Sequence, residues 1–376
     1  MKKTWISIGI VVVVALAIAL VIIQTNEDSE EIKIGAILPL TGSSAQYGQW
    51  SKNGADLAVE EINQQGGIKG RKIKILYEDS KTDAKEGVSA INNLYTIHKI
   101  QAFITESSGV VLAIAPIAET KKIVQLNVGA VNPQIREAGD YTFSNINDAK
   151  AEAYQMARFV FDKLQIRKLA ILYANASYGI GARNAMLERF KILGGQIVAD
   201  EGFEENSGDF RTQLTKIKSA IPEAIYVVAV TKDAAIILKQ AKEIGLKVRF
   251  FSTTFFEGKD IIDIAGDAAE GTIYTSTALD TSSPDVRKFI SNYYDKFGIT
   301  PEIYSATAYD AIKILALAIE KVGYDGSKIK NFLYTVKDYP GISGVTTFDA
   351  KGAVEKPILF KIVRNRNFEL YYKEEE

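Results

Sequence analysis

From residue 32 onward, short apolar runs alternate with longer segments whose apolar positions recur every three or four residues. "IKIGAIL" reads as a buried strand. In "GADLAVEEINQQGG", Ala55, Ala58, Val59 and Ile62 share one helix face, and Gly66-Gly67 ends the helix. The strand "KIKILYED" follows, then a helix over about 83–99, the strand "AFIT", a helix over about 108–121 and the strand "IVQLNV". The rhythm then restarts. Helices are expected over about 148–164 and 178–193, with the strands "KLAILYA" and "QIVAD". After these come the helix "DFRTQLTKIKSA", the strand "AIYVVAV", the helix "KDAAIILKQAKEIG" and the strand "VRFFST". Alternation of this kind predicts an α/β fold of two similar lobes, each a parallel sheet flanked by helices with right-handed crossovers.

The remainder does not begin a third unit. It reads as one strand, "GTIYTST", then helices over about 284–297, 302–322 and 327–336, and a β-rich tail from "VTTFDAKG" to the end. A chain that crosses between lobes accounts for this, with crossings near 145–150, 276–282 and 339–344. The expected division is 32–148 plus 279–340 for one lobe and 149–278 plus 341–376 for the other. Several strands joining two lobes make a hinge, and the cleft between them is a place for a small ligand.

The N-terminus has a different pattern. "MKK" precedes 19 uncharged residues, Trp5 to Ile23. A positive flank before an apolar run describes a signal peptide or a spanning helix. Residues 1–26 are expected to anchor the protein to the membrane with the remainder outside the cytoplasm, or to be cleaved for secretion. Residues 27–31 then form a polar linker.

Composition removes several functions. The 376 residues carry a net charge of -1, which gives no basic surface for nucleic acid. No cysteine is present, so disulfides, a thiol nucleophile and Cys-based metal sites are excluded. The single His98 falls late in a helical pattern and reads as a surface residue, which leaves a Ser-His-Asp scheme without support. The adjacent acidic pairs Glu60-Glu61 and Glu204-Glu205 read as solvated faces. No enzyme activity, cofactor or metal is expected.

Three strand ends carry candidate chemistry. "LPLTGSSAQYGQW" resembles a phosphate loop only in outline: Gly42 and Gly48 are too far apart for a P-loop, and no Lys follows. It offers hydroxyls, amides and Tyr47 beside a helix start. In "AFITESSGVV", Ser107, Ser108 and Gly109 lie where a parallel strand ends and a helix begins, a position whose free amides and dipole favour an anion. "LYANASYGIG" repeats the arrangement in the second unit, with Tyr178-Gly179 answering Tyr47-Gly48. In open α/β sheets, ligands sit beyond the carboxyl ends of strands.

The stretch from "IKIGAILPLTGSSAQYGQW" through "LYEDSKTD" resembles the opening of the leucine/isoleucine/valine-binding proteins, type I periplasmic solute-binding proteins of ABC importers. "LYANASYGIGARNAM", "AIILKQAKEIGL", "IAGDAAEGTIYT" and "GVTTFDAKG" extend the likeness over residues 32–363. The resemblance implies two Rossmann-like lobes joined by a three-crossing hinge, closing on a solute and docking on a membrane permease. It places a ligand aromatic at Tyr47, the carboxylate-binding serine at Ser108, a backbone contact at Gly129 and a second-lobe tyrosine at Tyr178. It also shows departures. A family Ser/Thr becomes Val131, a second-lobe tyrosine becomes Val230, and the acidic partner of the ligand ammonium becomes Thr254. Either Glu257 substitutes for that acid, or the solute is a carboxylate or amide without an amine. The same fold also serves as the ligand-sensing ectodomain of signalling systems, which is the alternative reading.

Overall fold

The computed structural model describes residues 31–277 and 279–373. The first sheet contains β1 (Ile32–Leu38), β2 (Ile73–Asp79), β3 (Ala102–Thr105), β4 (Val124–Asn127) and β5 (Thr142–Ser144), all parallel, in the order β2-β1-β3-β4-β5. The second contains β6 (Lys168–Ala174), β7 (Gln196–Phe203), β8 (Ala224–Val228), β9 (Arg249–Ser252), β10 (Ile273–Ser276), β11 (Leu359–Arg364) and β12 (Asn367–Lys373). Its order is β12-β11-β10-β9-β8-β6-β7, with β11 and β12 antiparallel at one edge. The first five strands of each lobe therefore make the same hops. The chain runs outward once, returns past its first strand and continues the other way, so each sheet has a switch point, between β1 and β3 and between β6 and β8.

The sequence explains which strands are central. β3, β4 and β8 are buried at every position, as parallel strands covered on both faces must be. β2 and β7, at sheet edges, are only half-buried. The helices Pro284–Phe297, Ile303–Val322 and Gly326–Leu333 return to the first lobe, where Phe289, Ile312, Leu315 and Ile329 share a core with Ile34, Ile104 and Leu126.

Three crossings join the lobes. The first, 145–148, and the third, 355–358, are laced together: Asn147 Nδ2 donates to the Lys356 carbonyl at 2.8 Å, and the Lys356 N–H donates to Asn147 Oδ1 at 2.8 Å. The second lies between Ser276 and Pro284. The third crossing falls later than the sequence pattern placed it. Ile342, Phe348 and Val354 pack in the first lobe's core, so the chain leaves that lobe near 355 rather than at 339–344. The tail before Leu359 is not strand. It is held by turns and by Asp349, which accepts from the Lys351 and Ala353 amides. The β5 strand, three residues long, was below the length that apolar patterning registers.

No helix among the described residues is long and apolar enough to cross a membrane. The expected anchor in residues 1–26 lies outside the described residues.

Candidate functional site

The loops that follow β1, β2, β3 and β4 meet those that follow β6, β7, β8 and β9, and a cavity of about 230 Å³ lies between them. Ser44, Tyr47, Thr82, Glu106, Ser107, Ser108, Gly109, Gly129 and Ala130 line it from the first lobe. Ala176, Ser177, Tyr178, Glu205, Val230 and Phe255 line it from the second. Every lining residue lies beyond the carboxyl end of a parallel strand, and the cavity spans both switch points.

Two helix starts are pressed against strand ends by glycine. A Cβ on Gly48 would lie 2.1 Å from the Pro39 carbonyl oxygen, and one on Gly179 would lie 2.1 Å from that of Ala174. Only a residue without a side chain lets the first turn sit there, and the preceding tyrosine is thereby set at the cavity wall. The Tyr-Gly pairs in the two lobes are thus one device used twice. The glycine-rich loop after β1 is no anion cradle: the amides of Leu40 and Thr41 already donate to Asp79 Oδ1, at 2.9 and 3.3 Å.

Ser107 and Ser108 differ in role. Ser107 sits at φ 73° and caps nothing with its side chain. A non-glycine residue at positive φ is held there by its surroundings, and such strain gathers at ligand sites. Ser108 is 4% exposed, and its hydroxyl accepts the N–H groups of Val131 (3.2 Å) and Asn132 (3.1 Å). Those bonds occupy its lone pairs, so its one hydrogen is free to donate. Beside it, the first turn of the helix Ser108–Lys121 brings unpaired amides and the positive end of the dipole. Gly109 leaves the approach open, with only Ser177 Cβ at 4.0 Å from a built Cβ.

Tyr47 joins the lobes. Its hydroxyl pairs with Thr231 Oγ1 at 2.7 Å, donates toward the Phe255 carbonyl at 3.0 Å and accepts the Thr231 N–H at 3.0 Å. Its ring meets Trp50, Phe255 and Tyr304 edge-on, with centroids 5.1–5.7 Å apart. A second clasp is Asn132 Nδ2, which donates to Ser177 O (2.7 Å) and Oγ (2.9 Å). The lobes are therefore in contact around the cavity, in a closed arrangement.

The cavity has a strongly acidic lining. Glu106 is 3% exposed and lies under Gly129, whose missing side chain makes room for it. Ser51 Oγ donates to its Oε2 at 2.8 Å. Burial pushes its carboxyl up to about 7, partly offset by that hydroxyl. Glu205 accepts from the Tyr178 hydroxyl at 3.2 Å, and burial, then the charges of Asp233 and Glu204, raise its pKa. No lysine or arginine lines the cavity. Among the described residues no group of acidic or histidine side chains is arranged to hold a metal.

Of the residues singled out from sequence, Tyr47, Ser107, Ser108, Gly129, Tyr178 and Val230 line this cavity. Val131 lies behind it and acts through its backbone, holding the Ser108 oxygen. Thr254 and Glu257 line a different cavity, with Trp50, Glu302 and Lys361. The Thr254 N–H donates to Glu152, and Glu257 is paired with Lys361 Nζ and the Tyr274 hydroxyl. Glu257 therefore does not line the cavity between the strand-end loops, whereas Glu106 and Glu205 do. The pair Glu204-Glu205 is no solvated helix face. It follows β7 in a loop, where Glu204 turns out to Asn175 and Glu205 turns in. The sequence reading singled out neither acid: the place of Glu106 beside Ser107 was its one signal, whereas Glu205 needed the loop's course.

Comparison with known proteins gives the same picture. A model of the periplasmic binding protein family matches residues 31–364. The Leu/Ile/Val-binding protein homolog 1 of Brucella suis is 28% identical over 330 residues, 87% of this chain and 88% of that protein. The branched-chain amino acid transporter substrate-binding protein LivJ of Streptococcus pneumoniae, solved with isoleucine, superposes with a TM-score of 0.84 at 29% identity, covering 90% of this chain and 98% of that one. The leucine-binding protein LivK of Thermotoga maritima gives 0.85 at 26% identity, covering 91% and 98%. The chain belongs to the periplasmic binding protein family: it is an extracytoplasmic solute-binding protein of the ABC-transporter class, with the type I fold and no enzymatic role.

Proposed function

We propose that this protein captures an amino acid, and that the solute's carboxylate lies on Ser108 and the first turn of its helix. The observation that carries this reading is the Ser108 hydroxyl, buried at the cavity wall with both lone pairs occupied and its hydrogen available. The two carboxyls in the same cavity favour a solute with an amine over a simple carboxylate or amide. An ammonium buried without a counter-charge costs several kcal/mol, and Glu106 and Glu205 remove that cost. The isoleucine complex of LivJ and the leucine-binding LivK point to the same class of solute. Residues 1–26 tether the receptor beside its permease, and the closed lobes present the docking surface. Only contacts made to both lobes shift an open-closed equilibrium toward closure, and the cavity offers them.

Calorimetry of the ligand-stripped protein with a panel of amino acids, aromatic carboxylates and amides tests this reading. Amino acids are expected to bind and deaminated analogues to bind far more weakly; binding by none of the amino acids would refute it. Ser108→Ala is expected to weaken amino-acid binding by about 1–3 kcal/mol, the cost of leaving a buried polar partner unmatched. The same titration reads it, and an unchanged affinity would reduce Ser108 to a brace for Val131 and Asn132.

A further inference from the structure

The acidic lining exceeds what one ammonium satisfies. Glu106 comes from the first lobe and Glu205 from the second, and neither lies within salt-bridge distance of a lysine or arginine among the described residues. They have different neighbours: Ser51 Oγ donates to Glu106 at 2.8 Å with Gly129 packed over it, while the Tyr178 hydroxyl donates to Glu205 at 3.2 Å. Asp233, 1% exposed, stands behind Glu205 and accepts the Asn206 N–H at 3.1 Å. A solute with one ammonium pairs one of the two carboxyls. The other, whether the buried Glu106 or the half-buried Glu205, is then left at the cleft wall with no counter-charge, a costly arrangement for its ionised form. A solute with a second cation, held away from its amino-acid head, pairs both and bridges the lobes as it does so.

We propose that the preferred solute is a basic amino acid, whose α-carboxylate lies on Ser108, whose α-ammonium faces Glu106 and whose side-chain cation faces Glu205. This rests on the amino-acid reading above and adds a requirement to it. Tyr178 positions Glu205 through its hydroxyl, and the apolar faces of Val230, Phe255 and Ala130 flank the solute's aliphatic stem. Specificity of this kind comes from the second lobe, because its carboxylate meets the part of the solute that distinguishes lysine from leucine.

The test is calorimetric titration of the ligand-stripped full chain with L-lysine, L-arginine, L-leucine and L-norleucine, the last matching lysine's stem without its cation. Lysine or arginine is expected to bind at least tenfold more tightly than norleucine. Glu205→Gln is expected to collapse that ratio to near one, with Tyr178→Phe lowering it by a smaller factor. Norleucine or leucine binding as well as lysine to the wild type would overturn the inference and leave the amino-acid reading standing. So would an equal loss for lysine and norleucine in Glu205→Gln. Failure of lysine and arginine to bind would overturn the inference, and failure of every amino acid in the wider panel would overturn both.

Discussion

Alanine at Gly179 is expected to abolish tight solute binding and to cost about 3 kcal/mol of stability, the upper part of the range for forcing atoms into a packed site. The added Cβ would sit 2.1 Å from the Ala174 carbonyl oxygen. Both groups belong to the backbone, so no side chain can swing aside. Either the end of β6 or the first turn of the helix Ser177–Ile192 must move. That turn carries Ser177, which accepts from Asn132 across the cleft, and Tyr178, which bonds Glu205. Displacing it loosens the clasp between lobes and moves the second-lobe carboxylate together. Gly48→Ala is expected to act in the same way through Pro39 and Tyr47. Gly109→Ala is the control: it lines the same cavity, yet its Cβ meets only Ser177 Cβ at 4.0 Å, so the protein is expected to melt as the wild type does. Thermal melts and calorimetric titrations of the three variants check this. Wild-type melting and binding by Gly179→Ala would show that the close approach is not rigid.

The sequence was most readable where local chemistry and topology agree. Tyr47-Gly48 and Tyr178-Gly179 open helices at strand ends, and strand ends of parallel sheets are where a cleft forms, so the alternating pattern led to both. Ser108 was legible for the same reason. The acidic residues were not. Glu205 stands next to Glu204, and adjacent charges normally diverge with one or both in water; here a loop, not a helix, turns one inward. Nothing in the neighbouring residues "GFEENSGD" encodes that direction, because it depends on Tyr178 and Asp233 from the first turns of two helices. Thr254 and Glu257 failed differently. They follow β9 at the expected place, but Phe255 between them turns toward the cavity, while its neighbours face the other side of the aromatic wall of Tyr47, Trp50 and Tyr304. The third crossing was misplaced because Ile342, Phe348 and Val354 are widely spaced in an irregular segment, and no periodic pattern announces their burial in the first lobe.

The solute-free protein is expected to lose stability as pH rises from about 5 to 8. Burial lifts Glu106 and Glu152 to about 7 and Glu302 to about 8, from an ordinary value of 4.5. In this window the folded chain holds protons that the unfolded chain has released, so raising the pH favours unfolding. For Glu106 and Glu152 the loss is on the order of 3 kcal/mol each, at about 1.4 kcal/mol per tenfold change in proton affinity. Set against a typical stability of roughly 5–15 kcal/mol, that is a large share. Lys356 does not offset it. Burial lowers that ammonium to about 8, so its stabilising deprotonation begins only at the top of the window. Glu152 lies at the hinge, bonded to Thr275 Oγ1 (2.9 Å) and the Thr254 amide (3.3 Å), and Glu152→Gln is expected to remove its part of the slope whether or not solute is present. Glu106 differs because it lines the cavity. An ammonium set against it lowers its pKa, so binding near pH 7 is expected to release a proton, and saturating solute to flatten the Glu106 part of the slope. Denaturant melts at pH 5.5 and 8 read the stability, and calorimetry in buffers of different ionisation enthalpy reads the proton. A stability that rises across the window would contradict the burial of these carboxyls, and proton uptake on binding would place the solute's anionic end, not its ammonium, at Glu106.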